Sequence, residues 1–133
     1  MQARKSLCEG GIPIGSVLVH NGEIIGRGHN SRVQTGSPID HGEMNCLRNA
    51  GRLSAGVYRG CTLYTTLSPC LMCSGALYWS KIGRIVFGAT DEKNGYRKVA
   101  ANNSPFHPKT IVTGGVLEAE CALLMKNFFK AKR

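Results

Sequence analysis

The chain has 133 residues, 42% hydrophobic and 19% charged, with 17 basic side chains against 8 acidic ones. That length suits a single domain over residues 1–133, the apolar content excludes a disordered polymer, and no apolar run reaches the roughly 18 residues a membrane helix needs. The net charge of +9 favours anionic partners such as nucleic acid and says nothing about fold.

Met1–Glu9 reads as a short polar helix stopped at Gly10-Gly11. It has charges but no apolar stretch of the signal-peptide kind, so the chain is expected in the cytoplasm, with no membrane partner. Ile14–His20 is apolar and β-branched, a strand. Asn21-Gly22 is a strong hairpin signal, and Glu23–Gly28 returns as the second strand. Asn30–Ile39 carries Gly36, Ser37 and Pro38 and reads as loop. Asp40 followed by Glu43 has capping-box spacing and opens a helix through about Ala50, ended by Gly51. Thr62–Thr66 is a strand. Ser68 and Pro69 read as an N-cap and first-turn proline of a helix reaching about Ser80. Arg84–Phe87 is a strand, Asp91–Pro108 a long polar loop, Lys109–Thr113 a fifth strand, and Leu117–Lys130 a closing amphipathic helix. A hairpin followed by alternating helices and strands predicts an α/β fold, a five-stranded mixed sheet with helices on both faces.

Six cysteines could staple three disulfides, but a chain able to build an apolar core does not need them. Cys8, Cys46, Cys61 and Cys121 are expected as buried free thiols. Cys70 and Cys73 form a Cys-x-x-Cys pair, whose readings in a cytosolic chain are metal or redox chemistry. With His41 they make three zinc-ligand candidates, each at the predicted start of a helix. Helix N-termini favour the thiolate, the form that binds metal. Three protein ligands leave a fourth tetrahedral position for water, the catalytic rather than the structural arrangement. Glu43, two residues beyond His41, can take a proton from that water and hand it to a substrate. A redox pair and a purely structural zinc are the alternatives at this point. His20, His29 and His107 read as surface or hydrogen-bonded histidines. Lys126, Lys130, Lys132 and Arg133 read either as a solvated helix end or as a phosphate-contacting patch.

The combined pattern His41-x-Glu43 … Pro69-Cys70-x-x-Cys73 resembles the signature of the zinc-dependent base deaminases. The blocks Glu9–Gly15, Gly26–Asn30, His41–Glu43, Gly51–Leu53 and Thr62–Cys70 are similar to fungal-type cytosine deaminase. Lys81–Gly88, Asp91, Lys93, Gly95 and the ending Glu120–Lys130 resemble bacterial tRNA adenosine deaminase, and Leu77–Trp79 resembles bacterial guanine deaminase. The superfamily resemblance implies a three-layer α/β/α sandwich of the cytidine deaminase-like kind, one Zn2+ per chain and a homodimer. It implies base contacts from Asn30 and from the backbone at Gly42 and Ser68. Pro69, Ile12 and Asp91 complete the substrate-binding set expected from it. The fungal-type enzyme closes its pocket with a C-terminal tail bearing Trp and Asp, which has no counterpart before Arg133.

These residues leave three readings. The first is hydrolysis of cytosine to uracil and ammonia, favoured because Gly42 and Ser68 follow the cytosine enzyme where the tRNA enzyme has Ala and Glu. The second is adenosine-to-inosine conversion in tRNA, which the positive charge suits, or deamination of guanine. The third, of another class, is a non-catalytic zinc protein that binds nucleic acid, for which Glu43 would have no use.

Overall fold

The computed structural model describes residues 1–100 and 103–132, so Arg133 of the basic cluster lies outside the described residues. Five strands form one mixed sheet in the order β2-β1-β3-β4-β5. β1 (Gly15–His20) and β2 (Glu23–His29) are the expected hairpin, turned at Asn21 and Gly22, which both have positive φ. β3 (Cys61–Leu67) pairs antiparallel with β1, while β4 (Arg84–Ala89) and β5 (Ile111–Thr113) continue the sheet in parallel register.

Alternation along the strands sends successive side chains to opposite faces. On one face Leu18, Leu63, Ile85 and Phe87 join Cys46 of α3 (Gly42–Ala50) and Leu77 of α5 (Leu71–Ser80) in a cluster whose members are almost wholly buried. Each such aliphatic side chain contributes about 1.5–3 kcal/mol through burial. The other face carries α1 (Gln2–Cys8) and the C-terminal α7 (Glu118–Lys132). The result is the expected α/β arrangement of helices on both sides of a mixed sheet. Among the described residues, no helix is long and apolar enough to cross a membrane.

Several strand glycines bring helices unusually close to the sheet, Gly28 and Gly88 among them. A Cβ on Gly28 of β2 would stand 2.2 Å from the backbone nitrogen of Cys46 and 2.4 Å from the Gly42 oxygen. A Cβ on Gly88 of β4 would stand 2.4 Å from the Cys121 sulfur of α7.

The structure corrects several local expectations. Three helices of four or five residues interrupt stretches read as loop or left unassigned: α2 (Arg32–Thr35), α4 (Ala55–Arg59) and α6 (Tyr96–Val99). The fifth strand begins at Ile111, two residues late. Asp40 does not cap α3, because Thr35 Oγ1 donates to its carboxylate at 2.6 Å and Arg48 stands 3.6 Å away; the N-cap position is His41. Ser68 and Pro69 precede α5 rather than opening it. The N-cap is Cys70, whose sulfur accepts from the Cys73 N–H. All six cysteines are free, but Cys8 is exposed and Cys121 only half-buried, since both lie on the more open α1/α7 side.

Candidate active site

The N-termini of α3 and α5 converge at one end of the sheet. His41 and Cys70 occupy the two N-cap positions, and Cys73 sits in the first turn of α5. The His41 Nδ1 atom lies 3.5 Å from the Cys70 sulfur and 3.5 Å from the Cys73 sulfur, and the three ligand atoms all lie within 4.8 Å of one another. Tetrahedral zinc with its usual N and S bond lengths separates a nitrogen and a sulfur ligand by roughly 3.5 Å. The imidazole therefore already stands off both sulfurs by the edge of a zinc tetrahedron. Two soft thiolates and an imidazole are also the donor chemistry zinc prefers.

The three candidate ligands share protons through one another, and only Cys70 is shifted toward the ionised form that binds metal. The Cys70 thiol is lowered to about 4 by the hydrogen bond it receives from Cys73, with the His41 imidazole adding to the effect. His41 is raised by its hydrogen bond to Cys70. The same Cys70 bond, together with burial, drives Cys73 upward. Loading a divalent cation needs both sulfurs ionised and the imidazole neutral, so it releases protons.

Glu43 is 4% exposed, in the first turn of α3 beside Cys73. Burial raises its carboxyl above the ordinary carboxylate range, against the hydrogen bond with Cys73. A carboxyl so placed favours its protonated form more than a solvent-exposed one does.

His41, Glu43 and Cys70 form the floor of a cavity of about 180 Å³, with Cys73 buried behind it. Of the substrate residues expected from sequence, Ile12, Asn30, Ser68 and Asp91 line it. Gly42 and Pro69 do not. Gly42 is buried with its Cβ direction facing Ile14, Asn30 and Ser16 at 3.4–3.5 Å, ordinary contact that an alanine could make. Pro69 is wholly buried, its carbonyl accepting from the Tyr96 N–H at 2.9 Å. The lining residues that sequence reasoning missed are Ile14, Arg32, Leu67, Asn94, Met125 and Phe129.

The polar part of the lining is pre-oriented. Asn30 accepts the Arg32 N–H on Oδ1 at 3.1 Å, which leaves its amide N–H groups for the cavity. Ser68 Oγ accepts the Asp91 N–H at 2.8 Å, and Asp91 Oδ1 in turn accepts from Lys93 and Asn94 backbone N–H groups. The Asp91–Gly95 turn is thereby fastened to the segment carrying Cys70, with which Gly95 also forms a β-bridge.

Comparison with known proteins bears on this geometry. Residues 1–89 match the family model of the cytidine and deoxycytidylate deaminase zinc-binding region. The cytosine deaminase of Candida albicans is 43% identical over 132 residues, covering 98% of this chain and 84% of that protein. The tRNA-specific adenosine deaminase of Bacillus subtilis is 42% identical over 137 residues, covering 99% of this chain and 84% of that protein. A solved structure from work on A-to-I editing by tRNA:A34 deaminases superposes with a TM-score of 0.78 at 31% identity, covering 92% of each chain.

Proposed function

The chain belongs to the cytidine and deoxycytidylate deaminase family and is a zinc-binding hydrolytic deaminase; we propose that its substrate is free cytosine, converted to uracil and ammonia. The observation that carries this reading is the cavity itself. At about 180 Å³ it lies below the usual 300–1,000 Å³ of drug-sized pockets and suits one planar ring. Its floor holds His41, Glu43 and Cys70, and its walls mix apolar side chains with the polar groups a base rim needs, Asn30, Ser68 and Asp91 among them.

His41, Cys70 and Cys73 hold the zinc, which as a Lewis acid makes water a usable nucleophile near neutral pH. Glu43 takes a proton from the attacking water and delivers it to ring N3. The C4–O bond forms, the C4–N4 bond breaks, and the amine leaves as ammonia after Glu43 has moved a second proton to it. Burial of Glu43 supports this shuttle, because it makes the carboxyl a better proton acceptor than an exposed one. Asn30 offers its amide N–H groups to the base carbonyl, and the Ser68 hydroxyl, its oxygen already accepting from Asp91, keeps its own hydrogen to donate. Asp91 and Ile12 border the ring edge, while Gly42 and Pro69 act from behind the wall by fixing the backbone. The six free cysteines support a cytoplasmic location. Exposed Leu71, Met72, Tyr78 and Trp79 on α5 support a homodimer that covers them.

Exposed Lys126, Lys130 and Lys132, on the helix that also reaches the cavity, favour a second reading in which the base belongs to tRNA. Salt separates the two. A neutral ring releases no counterions, so KM for cytosine should move less than about twofold between low and physiological salt, whereas phosphate contacts weaken steeply. The test is ammonia and uracil release from cytosine, beside guanine and tRNA. Inosine in tRNA without uracil from cytosine, lost in Lys130→Ala/Lys132→Ala, would replace the cytosine reading.

A further inference from the structure

Asn30, whose amide faces the cavity, follows β2 directly and is 3% exposed. Its backbone N–H donates to the Ile14 carbonyl at 2.9 Å, and its Oδ1 accepts from the Arg32 N–H. Its carbonyl accepts from the hydroxyl of Ser6, a wholly buried residue of α1. A second donor reaches the same carbonyl: Nε2 of Gln34, in the single turn of α2, at 3.3 Å. That nitrogen also lies 3.3 Å from Ser6 Oγ and 3.3 Å from a carboxylate oxygen of Glu9, which pairs with His29 at 2.9 Å. Three acceptors around one atom settle which end of the amide carries the hydrogens.

The other end, Oε1, is buried without a partner among the described residues. An orphaned buried acceptor opposes folding, so the nitrogen rather than the packing explains this amide. The fit is close on its far side as well. A Cβ on Gly11 would stand 2.4 Å from both heteroatoms of the amide, so the group lies flat against a glycine that itself donates to the Ser6 carbonyl at 2.8 Å. Gln34 does not line the cavity. We propose that Gln34 is a positioning residue for Asn30, holding the Asn30 carbonyl against α1 so that the Asn30 amide keeps one direction toward the base. This rests on the reading of Asn30 as a base contact and adds to it a residue that touches no substrate. A site whose hydrogen-bonding group is already aimed does not spend binding free energy on aiming it.

The test is kcat/KM of zinc-loaded Gln34→Met in the parent and the Asn30→Ala backgrounds, on whichever of cytosine, guanine and tRNA the parent deaminates. Methionine keeps the length and drops both the donor and the orphaned acceptor. In the parent background kcat/KM should fall about tenfold, mainly through KM, while the melting temperature drops by no more than about 2 °C. In Asn30→Ala the same change should alter kcat/KM less than about twofold, because the group it acts through is gone. Gly11→Ala leaves Gln34 in place and pushes its amide aside, so it should reproduce the fall even if Gln34→Met does not fold. Amide exchange gives a readout without turnover. The Arg32 N–H, bonded to Asn30 Oδ1, should exchange about tenfold faster in Gln34→Met, while the Leu18 and Leu63 amides of the sheet keep their rates. If the parent deaminates none of the three but Arg32 responds in this way, the role of Gln34 stands and the cytosine reading fails; if Arg32 is also unmoved, both fail. If the parent makes uracil while folded Gln34→Met keeps its kcat/KM, or loses the same factor in both backgrounds, the role of Gln34 is overturned and the cytosine reading survives.

Discussion

The two faces of the sheet do different work. The α3/α5 face is sealed, with Leu63 and Ile85 at 0% exposure, and it carries His41, Glu43, Cys70 and Cys73 at its helix starts. The α1/α7 face is half-open. Tyr64, Ile24 and Leu117 are exposed around an apolar groove of about 640 Å³, and α7 has no fully buried residue. Groups that hold a metal and move protons need fixed positions, and close packing supplies them. The looser face sends Met125 and Phe129 of α7 to the cavity wall.

Glu43→Gln should have the largest effect. It keeps the shape of the buried residue and removes the proton carrier, so kcat should fall by about 10²–10⁴ with zinc content and melting temperature retained. Turnover within tenfold of the parent would remove Glu43 from the chemistry and place catalysis off the sealed face. Next is Cys73→Ala, which should drop zinc below one per chain and lower the melting midpoint by at least about 5 °C, because the metal ties the starts of α3 and α5 together. A chelator should reproduce that shift in the parent and add little to the variant. The faces can then be compared directly on one strand. Ile85→Ala, on the sealed side, should cost about 2–5 kcal/mol in denaturant unfolding, whereas Val86→Ala, its neighbour on the open side, should cost less than about 1.5 kcal/mol. Equal costs would erase the distinction. The smallest test changes no stability at all. Under native conditions an alkylating reagent should modify Cys8 first and leave Cys46 untouched, since Cys46 is wholly buried and burial pushes its thiol up to about 12.

What could be read in the sequence follows the same division. The hairpin, the strands and the helices bearing the zinc ligands announced themselves through β-branched runs, Asn21-Gly22 and the Pro69-Cys70-x-x-Cys73 spacing, all local signals. Helices as short as Arg32–Thr35 have too few turns to show a period. The caps were misread because tertiary partners took the expected side chains: Thr35 and Arg48 for Asp40, Asp91 for Ser68. Met125 and Phe129 read as the apolar stripe of an ordinary amphipathic helix. Their place in the cavity depends on how closely α7 approaches Gly88, and no window of sequence spans that distance. Gly42, named from resemblance, shows the converse: its neighbours leave room for a methyl group, so the space there does not demand glycine.

The approach of α3 to β2 has a consequence for anyone redesigning the enzyme. With Gly28 flush against the backbone of Gly42 and Cys46, the first turn of α3 has no room for a side chain between it and the sheet. Any side chain introduced at position 28 would push that turn outward and carry the histidine at its N-cap and the carboxylate of its first turn with it. The last helix, which has no fully buried residue, is where exchanges of side chain disturb that turn least.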